Sequence, residues 1–452
     1  MHDDVKNALR TGIVKAGALL QPLTTQFSEP HLFWQKEGAQ WRGEWRECPS
    51  LMNVFRVAAE NLDAASADLC DAIRSHHPRF AGMVGFPSFC RLSLLHDPSF
   101  ILNQAMNALW KRHKTFQPPD QAVEAIIAEF SEFVDQPTIR FRFIATILNY
   151  QMDATAISFP DGLTIRRLTE NEISEFHGGS LWERSLTSQS KSAALHEYAI
   201  EGEHEERIIF GDAEADATQG QIAVRGKLDK ALLALRTFKG GRVGFESIRF
   251  ESVDFCPIMA ASWAFGDLYV PFGSYAVAEQ ESDALRDHAA LIFACNEPAM
   301  EMACSRLADA QTRFRPRDQI IDAVVGLEAL LLAGLRPEDR RGELRFRFSL
   351  HYSTLSASSE DRYRAFRLAK DLYDLRSAFA HGAAAKEGSL RVGDSRLPLS
   401  EAANLASDVL RDVVKHFLRL APEVPYKEHE FWERAIFALP PDLGGLPPVS
   451  PS

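Results

Sequence analysis

Helical periodicity dominates the C-terminal third of the chain. Between residues 283 and 420, apolar side chains recur every three or four positions, and short links separate the runs. This spacing puts the apolar side chains of a helix on one face. That face is shielded from water when it packs against a neighbouring helix. The predicted helices are Asp283–Asn296, Ala299–Thr312, Asp318–Ala333, Glu343–Leu355, Asp361–Ala380 and Ser400–Leu420. Helices with such short connections form a bundle, which we expect over residues 281–421.

The residues before this bundle divide into two regions. Residues 1–150 carry three helical patterns, so this region is expected to be mainly helical. The patterns are Leu51–Ile73, Phe100–Trp110 and Ala122–Val134. From residue 151 to residue 280 the period changes, and two short strands are predicted at 157–159 and 163–165, around a Pro-Asp-Gly turn. We expect a mixed, β-rich module there.

The chain ends in a proline-rich segment. Residues 422–452 contain seven prolines, which predict an extended tail anchored on the protein by side chains such as Phe431 and Trp432. A chain of 452 residues is too long for one compact core, so two or three domains are expected. The predicted fold class is therefore α+β, mostly helical, with the bundle after the β-rich module.

Charge is distributed unevenly along the sequence. The whole chain has a net charge of -12, which disfavours indiscriminate binding to nucleic acids. Residues 301–420 carry 20 Lys and Arg against 17 Asp and Glu, a local balance of +3. A polyanion would therefore bind most favourably to the predicted bundle.

Several protein classes are excluded by what the sequence lacks. The longest apolar stretch, 323–335, is interrupted by Glu328 and is too short to span a bilayer. The N-terminus lacks the basic and apolar regions of a secretory signal, so we expect a cytoplasmic protein with no membrane partner. The six cysteines form no Cys-x-x-Cys pair, which argues against a zinc ribbon. No metal and no cofactor are expected.

The most informative short motif lies at the end of the fifth predicted helix. Apolar residues at 368, 372, 375 and 379 form one stripe, with Arg376 at its edge. Gly382 is suited to end the helix in a left-handed conformation, which puts His381 in or just after the last turn. Five positions turn a regular helix by about 140°. Arg376 and His381 therefore converge only if the helix end unwinds or a second chain contributes.

Longer stretches around this motif resemble a known family. They are Arg306–Thr312, Ile321–Leu332, Glu343–Leu350 and Asp371–Gly382. These stretches resemble the ApeA-like branch of the HEPN superfamily, and Pro160–Thr169 is similar to the module that often precedes that domain. The Arg-x4-6-His motif of the superfamily matches Arg376 and His381, with four residues between them.

The resemblance implies a function. It implies a metal-independent endoribonuclease of a prokaryotic defence or toxin system, which acts as a homodimer and responds to a phage-derived or cellular trigger. Arg376 would neutralise charge on the phosphate, and His381 would transfer protons. The family commonly has Asn, Asp or His after the arginine, whereas this chain has Ser377, which predicts a weaker polar contact there. The alternative is a catalytically silent HEPN-type dimerisation or RNA-binding scaffold.

Glu328 and a group of arginines are the supporting candidates. Glu328 lies in the apolar run 324–332, so it is expected to be buried with a partner. It either orients Arg376 or His381, or forms a structural ion pair with Arg345 or Arg376. The candidate RNA-binding arginines are Arg336, Arg340, Arg341, Arg345 and Arg347. Acidic residues are interleaved among them, which favours the alternative of a solvated, charge-rich loop. The arginines at 313, 315 and 317 could extend this track.

His196 and His204 are of a residue type that can bind a metal ion. A hairpin predicted about Glu201-Gly202 sets His196 opposite Arg207 and His204 opposite Ala199. This pairing does not bring the two imidazoles together. The pattern therefore predicts a solvated hairpin and no metal site.

Overall fold

The computed structural model describes most of the chain. The described residues are 1–38, 40–80, 83–86, 90–93, 99–177, 179–180, 196–210, 219–253, 261–264, 270, 273–335, 343–356, 359–382, 390–392, 395–420 and 429–437. Within them, helices and strands are both present and helices predominate. The predicted α+β, mostly helical fold class is therefore confirmed.

Thirteen α-helices lie in the described part of the chain. They are α1 (Asp3–Leu23), α2 (Leu51–His76), α3 (Ser99–His113), α4 (Asp120–Asp135), α5 (Glu170–His177), α6 (Gln219–Phe238), α7 (Ser282–Ala294), α8 (Pro298–Thr312), α9 (Pro316–Leu331), α10 (Leu344–Thr354), α11 (Ser359–Ala380), α12 (Leu399–Arg419) and α13 (His429–Phe437). Two short 3-10 helices occupy Pro78–Phe80 and Glu279–Glu281.

The described strands are mostly short. They are β1 (Ser28–Glu37), β2 (Gln40–Pro49), β3 (Met83–Phe86), β4 (Cys90–Ser93), β5 (Thr138–Leu148), β6 (Tyr150–Met152), β7 (Ala156–Ser158), β8 (Thr164–Arg167), β9 (Gly179–Ser180), β10 (Tyr198–Arg207), β11 (Ile209–Phe210), β12 (Gly244–Ser252), β13 (Ala261–Ala264), β14 (Tyr275–Val277), β15 (Leu390–Val392) and β16 (Ser395–Leu397).

The chain forms two compact units. Unit 1 comprises Met1–Tyr150, Thr155–Leu228 and Gly244–Pro271. Unit 2 comprises Gln151–Ala154, Asp229–Val243 and Phe272–Ser452. These units cut across the boundary predicted near residue 150, because β5, which precedes it, pairs with β10 and β12, which follow it.

Unit 1 is built on an antiparallel sheet of six strands in the order β13-β12-β5-β10-β8-β7. The central β5 is almost wholly buried along its second half, as expected for a strand with neighbours on both sides. Helices α1 to α4 pack against one another in the same unit. A long β1–β2 hairpin precedes α2, so the first 150 residues also contain sheet structure that helical periodicity did not predict.

The hairpin predicted about Glu201-Gly202 is wrong. These residues lie inside β10, which runs uninterrupted and pairs with β5 on one side and β8 on the other. At Gly202 an added Cβ would lie 2.7 Å from Cζ of Phe143 and from Cδ2 of Leu163. The glycine permits close packing in the middle of a strand, where its identity had indicated a turn.

Unit 2 contains a helical bundle with α9 at its centre. Helix α9 contacts α8, α10, α11 and α12, and its apolar residues Val324, Leu327 and Leu330 are fully or almost fully buried. The six helices predicted between residues 283 and 420 are confirmed as α7 to α12, with ends shifted by at most two residues. Their amphipathic patterns extend over three or more turns, which makes the helical period unambiguous.

The predicted extended tail is wrong for residues 429–437, which form α13. Trp432 is 1% exposed, and its ring stacks on His351 of α10 with centroids 4.3 Å apart. The anchoring role predicted for Trp432 is therefore confirmed, but through a helix. The rest of the tail, before 429 and after 437, lies outside the described residues.

Close packing of α9 on α12 requires a glycine and leads to a stability prediction. A Cβ at Gly326 would lie 2.6 Å from Cδ2 of Leu410, which is fully buried. We expect Gly326→Val to lower the free energy of unfolding by about 1–3 kcal/mol, the usual cost of overpacking a core. Thermal unfolding followed by circular dichroism measures the change. The matched control is Gly226→Val in α6, where an added Cβ meets no atom within 4 Å; an equal loss in both variants would contradict the packing argument.

Candidate functional site

The helix that carries the motif is amphipathic, as its sequence predicts. Its apolar stripe is buried: Leu368, Leu372, Leu375 and Phe379 are each at most 9% exposed. Helix α11 ends at Ala380, and Gly382 adopts the left-handed conformation with φ 77°. The predicted glycine terminus is therefore confirmed.

His381 is the first residue after α11, and it is exposed. Its backbone N–H donates to the carbonyl oxygen of Ser377 at 3.1 Å, so the residue keeps the helical register. Ser377 therefore contacts His381 through its backbone carbonyl oxygen. The side chain at position 377 takes no part in this hydrogen bond. The imidazole projects from the end of the helix into solvent.

Arg376 is held by Glu328 of α9. Its Nη2 donates to Oε2 of Glu328 at 3.2 Å, with 31% of the arginine side chain and 19% of the glutamate side chain exposed. Burial raises the pKa of Glu328, and the positive charge of Arg376 opposes that rise. The partner expected for Glu328 is therefore Arg376, since Arg345 pairs with Asp374 at 3.0 Å.

The guanidinium of Arg376 retains capacity for a further ligand. Its Nε is buried and has no hydrogen-bond partner among the residues that the structure describes, so an external ligand would contact the terminal nitrogens instead. Glu328 fixes one edge of the group, while the exposed third of the side chain remains accessible. The exposed part of this guanidinium can donate to a phosphate oxygen beside the carboxylate that holds it.

One chain does not bring Arg376 and His381 together. Arg376 points toward α9, whereas His381 projects from the helix end, consistent with the turn of about 140° between them. Within the described part of the chain, no hydrogen bond or ion pair joins the two side chains. A site that uses both groups on one phosphate therefore requires either that the helix end unwinds or that a second chain contributes.

Other arginines lie near the N-terminal end of α9. Arg317 lies over the ring of Phe379, with 5.7 Å between the guanidinium carbon and the ring centroid, which adds a cation beside the last turn of α11. Arg313 is bonded to the buried Asp322 at 2.9 Å, and Arg306 to the same carboxylate at 3.1 Å. These two arginines are thus structural, and Arg317 is the one of the three that faces the motif helix.

The proposed RNA-binding arginines are only partly described. Arg345 is exposed and paired with Asp374, and Arg347 is half-buried on α10. The remaining three, Arg336, Arg340 and Arg341, lie outside the described residues.

Possible metal ligands were searched for in the described residues. His2, Asp4 and His76 bring one ligand atom each within 4.8 Å of one another. All three are exposed, and the two imidazole rings stack at 3.6 Å with nearly parallel planes. Parallel stacked rings direct their nitrogens side by side, which is a poor arrangement for a shared ion, and the group belongs to unit 1, apart from the motif.

A buried group of titratable residues in unit 1 was missed from the sequence. Nε2 of His196 lies 3.1 Å from Oε2 of Glu246, and both side chains are 5% exposed. The ring of His177 lies 5.5 Å from that of His196, and burial, together with His196, lowers the pKa of His177 to about 4. The solvated position predicted for His196 is therefore wrong. His196 is buried against Glu246 and His177, which lie far from it in the chain, and local periodicity does not reveal such contacts.

Comparisons with known proteins add no relative. No family model matches the chain, and searches of curated proteins and of solved structures also find no match. Among the described residues, no helix is both long and apolar enough to cross a membrane.

Proposed function

We propose that this protein is a metal-independent endoribonuclease of the HEPN type. The observation that carries the proposal is the arrangement at the end of α11. There a half-buried guanidinium, held by Glu328, lies five residues before an exposed imidazole at a glycine-terminated helix end. One group suits phosphate oxygens and the other suits proton transfer.

RNA supplies its own nucleophile for this chemistry. A base removes the proton of the 2'-hydroxyl, whose oxygen attacks the adjacent phosphorus. The bond to the 5'-oxygen then breaks, and an acid protonates the leaving oxygen. His381 would carry these proton transfers, and Arg376 would stabilise the added negative charge of the phosphorane. The products are a 2',3'-cyclic phosphate and a 5'-hydroxyl.

A homodimer completes the site in this proposal. A single imidazole cannot easily take the 2' proton and also deliver one across the phosphate to the leaving oxygen. Two bundles related by a two-fold axis would bring His381 and Arg376 from both chains to one cleft. The exposed position of His381 leaves it accessible to a partner chain.

The second candidate is a catalytically silent HEPN-type dimerisation or RNA-binding scaffold. One observation favours it: Glu328 already neutralises part of the charge on Arg376, so RNA phosphate must compete with a carboxylate for that guanidinium. In the first candidate, the same contact orients the guanidinium. Cytoplasmic action in a prokaryotic defence or toxin system, with a phage-derived or cellular trigger, belongs to the nuclease proposal through its family resemblance.

Product analysis tests the nuclease proposal. We expect purified protein to cut RNA in the presence of EDTA, and to leave 2',3'-cyclic phosphate and 5'-hydroxyl ends. DNA of the same sequence should resist, because it lacks the 2'-hydroxyl nucleophile. Mass spectrometry of the fragments identifies the ends. Products with a 5'-phosphate, or activity that EDTA abolishes and magnesium restores, would contradict the proposed reaction.

A further inference from the structure

The outer face of α11 carries a continuous stripe of polar and aromatic side chains. At 100° per residue, Tyr363, Arg367, Lys370, Asp374 and His381 fall within a sector about 60° wide. The burial of the helix agrees with this placement: Tyr363, Arg367, Asp374 and His381 are exposed, and Lys370 is half-buried. Because His381 keeps the helical register, the stripe runs about 27 Å along the helix and ends at the motif histidine.

This stripe is basic in an acidic protein. The stripe itself carries Arg367 and Lys370 against Asp374, a balance of +1, whereas the whole chain has -12. Two carboxylates on or beside the stripe are already paired, Glu360 with Arg364 and Asp374 with Arg345. Asp371, whose pKa is raised by burial, is the carboxylate near Arg367 and Lys370. Counted with these partners, the face carries four cations, Arg345, Arg364, Arg367 and Lys370, against three carboxylates, Glu360, Asp371 and Asp374, a balance of +1.

Two exposed aromatic rings border the basic residues. Tyr363 is 63% exposed and accepts a hydrogen bond from Nη1 of Arg367 at 3.4 Å. Phe346 of α10 is 51% exposed and packs edge-on against Phe366, with centroids 5.7 Å apart. Burying either ring would be favourable, so two aromatic groups of this size on a charged face indicate a ligand with flat, stackable groups.

We propose that this face binds single-stranded RNA, with bases stacked on Tyr363 and Phe346 and phosphates on Arg367 and Lys370. Two exposed rings and two cations on one face match the bases and phosphates of a single strand, whose bases are free to stack. The inference rests on the proposed function for the identity of RNA as ligand. It adds the path by which the strand reaches His381 and a preference for single strands.

Binding can be measured apart from cleavage. The probe is a fluorescein-labelled, single-stranded RNA of mixed sequence, and all variants carry His381→Ala so that chemistry does not interfere. Fluorescence anisotropy should show that Tyr363→Ala raises Kd at least about fivefold, whereas Tyr363→Phe, which keeps the ring, does not. Arg367→Gln with Lys370→Gln should lower the slope of log K against log salt by about 1.4, the value for two lost phosphate contacts on a single strand.

Matched controls lie on other helices of the same unit. Phe437→Ala removes a ring that is 87% exposed on α13, and Arg286→Gln with Arg434→Gln removes two exposed arginines of α7 and α13. Neither control should change Kd more than about twofold. Thermal unfolding should be alike for all variants, because the changed side chains lie largely in solvent.

The outcomes separate this inference from the nuclease proposal. Unchanged affinity and salt slope in the stripe variants would overturn the RNA path, even if the wild type cuts RNA. Loss of affinity in the stripe variants would support the path, even if the wild type never cuts RNA. If Tyr363→Ala instead turns a dimer into a monomer in light scattering without changing Kd, the face binds a second copy of the chain and the inference is wrong.

Discussion

Replacing His381 with alanine is expected to lower the rate of RNA cleavage by about 100-fold or more. General acid–base catalysis by a positioned side chain contributes about 10² to 10⁴ to a rate. Because His381 is exposed and lies after the end of α11, its loss should leave the fold intact. A cleavage assay under single-turnover conditions, with thermal unfolding of the same samples, measures both quantities.

Arg376→Ala should lower the rate of RNA cleavage by a similar factor, for a different reason. The guanidinium stabilises the phosphorane, and removing one such donor commonly costs about 10² to 10³ in rate. Arg376→Lys keeps the charge but not the planar fork, so an intermediate rate is expected. In the alanine variant Glu328 also loses its partner, so a small loss of stability should accompany the loss of rate.

A matched histidine controls for general effects of the substitution. His113 is exposed and ends α3, much as His381 follows the end of α11. His113→Ala should cleave at the wild-type rate. Equal cleavage by wild type and by the His381→Ala variant would remove His381 from the site.

The bundle was predictable from the sequence because its helices are long and amphipathic. Most of α7 to α12 keep one apolar face for three turns or more, and local sequence alone sets that period. Helix α10 is the exception, because its buried residues lie all around it. The β1–β2 hairpin and the straight course of β10 were not predictable in this way. Strand pairing depends on residues far apart in the chain, as between Gly202 and Phe143. The glycine at position 202 therefore indicated a turn, whereas in the fold it permits close packing inside β10.

Part of the candidate site was also predictable from the sequence. The burial of Glu328 followed from its apolar neighbours, and the helix end followed from Gly382. The sequence did not predict that Glu328 pairs with Arg376 and not with Arg345, because this pairing depends on how α9 packs against α11. The stripe from Tyr363 to His381 was present in the spacing of the sequence, but its exposure became known only from the buried opposite face of α11.

The second large effect concerns the assembly of the site from two chains. Arg376 faces α9 and His381 faces solvent in each chain, and in the homodimer that we propose the two groups meet on one phosphate across the dimer interface. A His381→Ala chain still supplies the guanidinium, and an Arg376→Ala chain still supplies the imidazole. A heterodimer of the two should therefore contain a working pair, although each parent homodimer lacks one member.

The most direct test isolates that heterodimer. The His381→Ala and Arg376→Ala chains carry different affinity tags, are mixed to exchange subunits, and are purified through both tags before the RNA cleavage assay. We expect cleavage at least about tenfold faster than either parent homodimer, because one imidazole and one guanidinium meet again in the cleft. As a control, a heterodimer of His381→Ala with the double variant supplies no imidazole and should stay inactive. A mixed heterodimer no more active than its parents, or a wild type that cleaves RNA as a strict monomer in light scattering, would contradict the shared site.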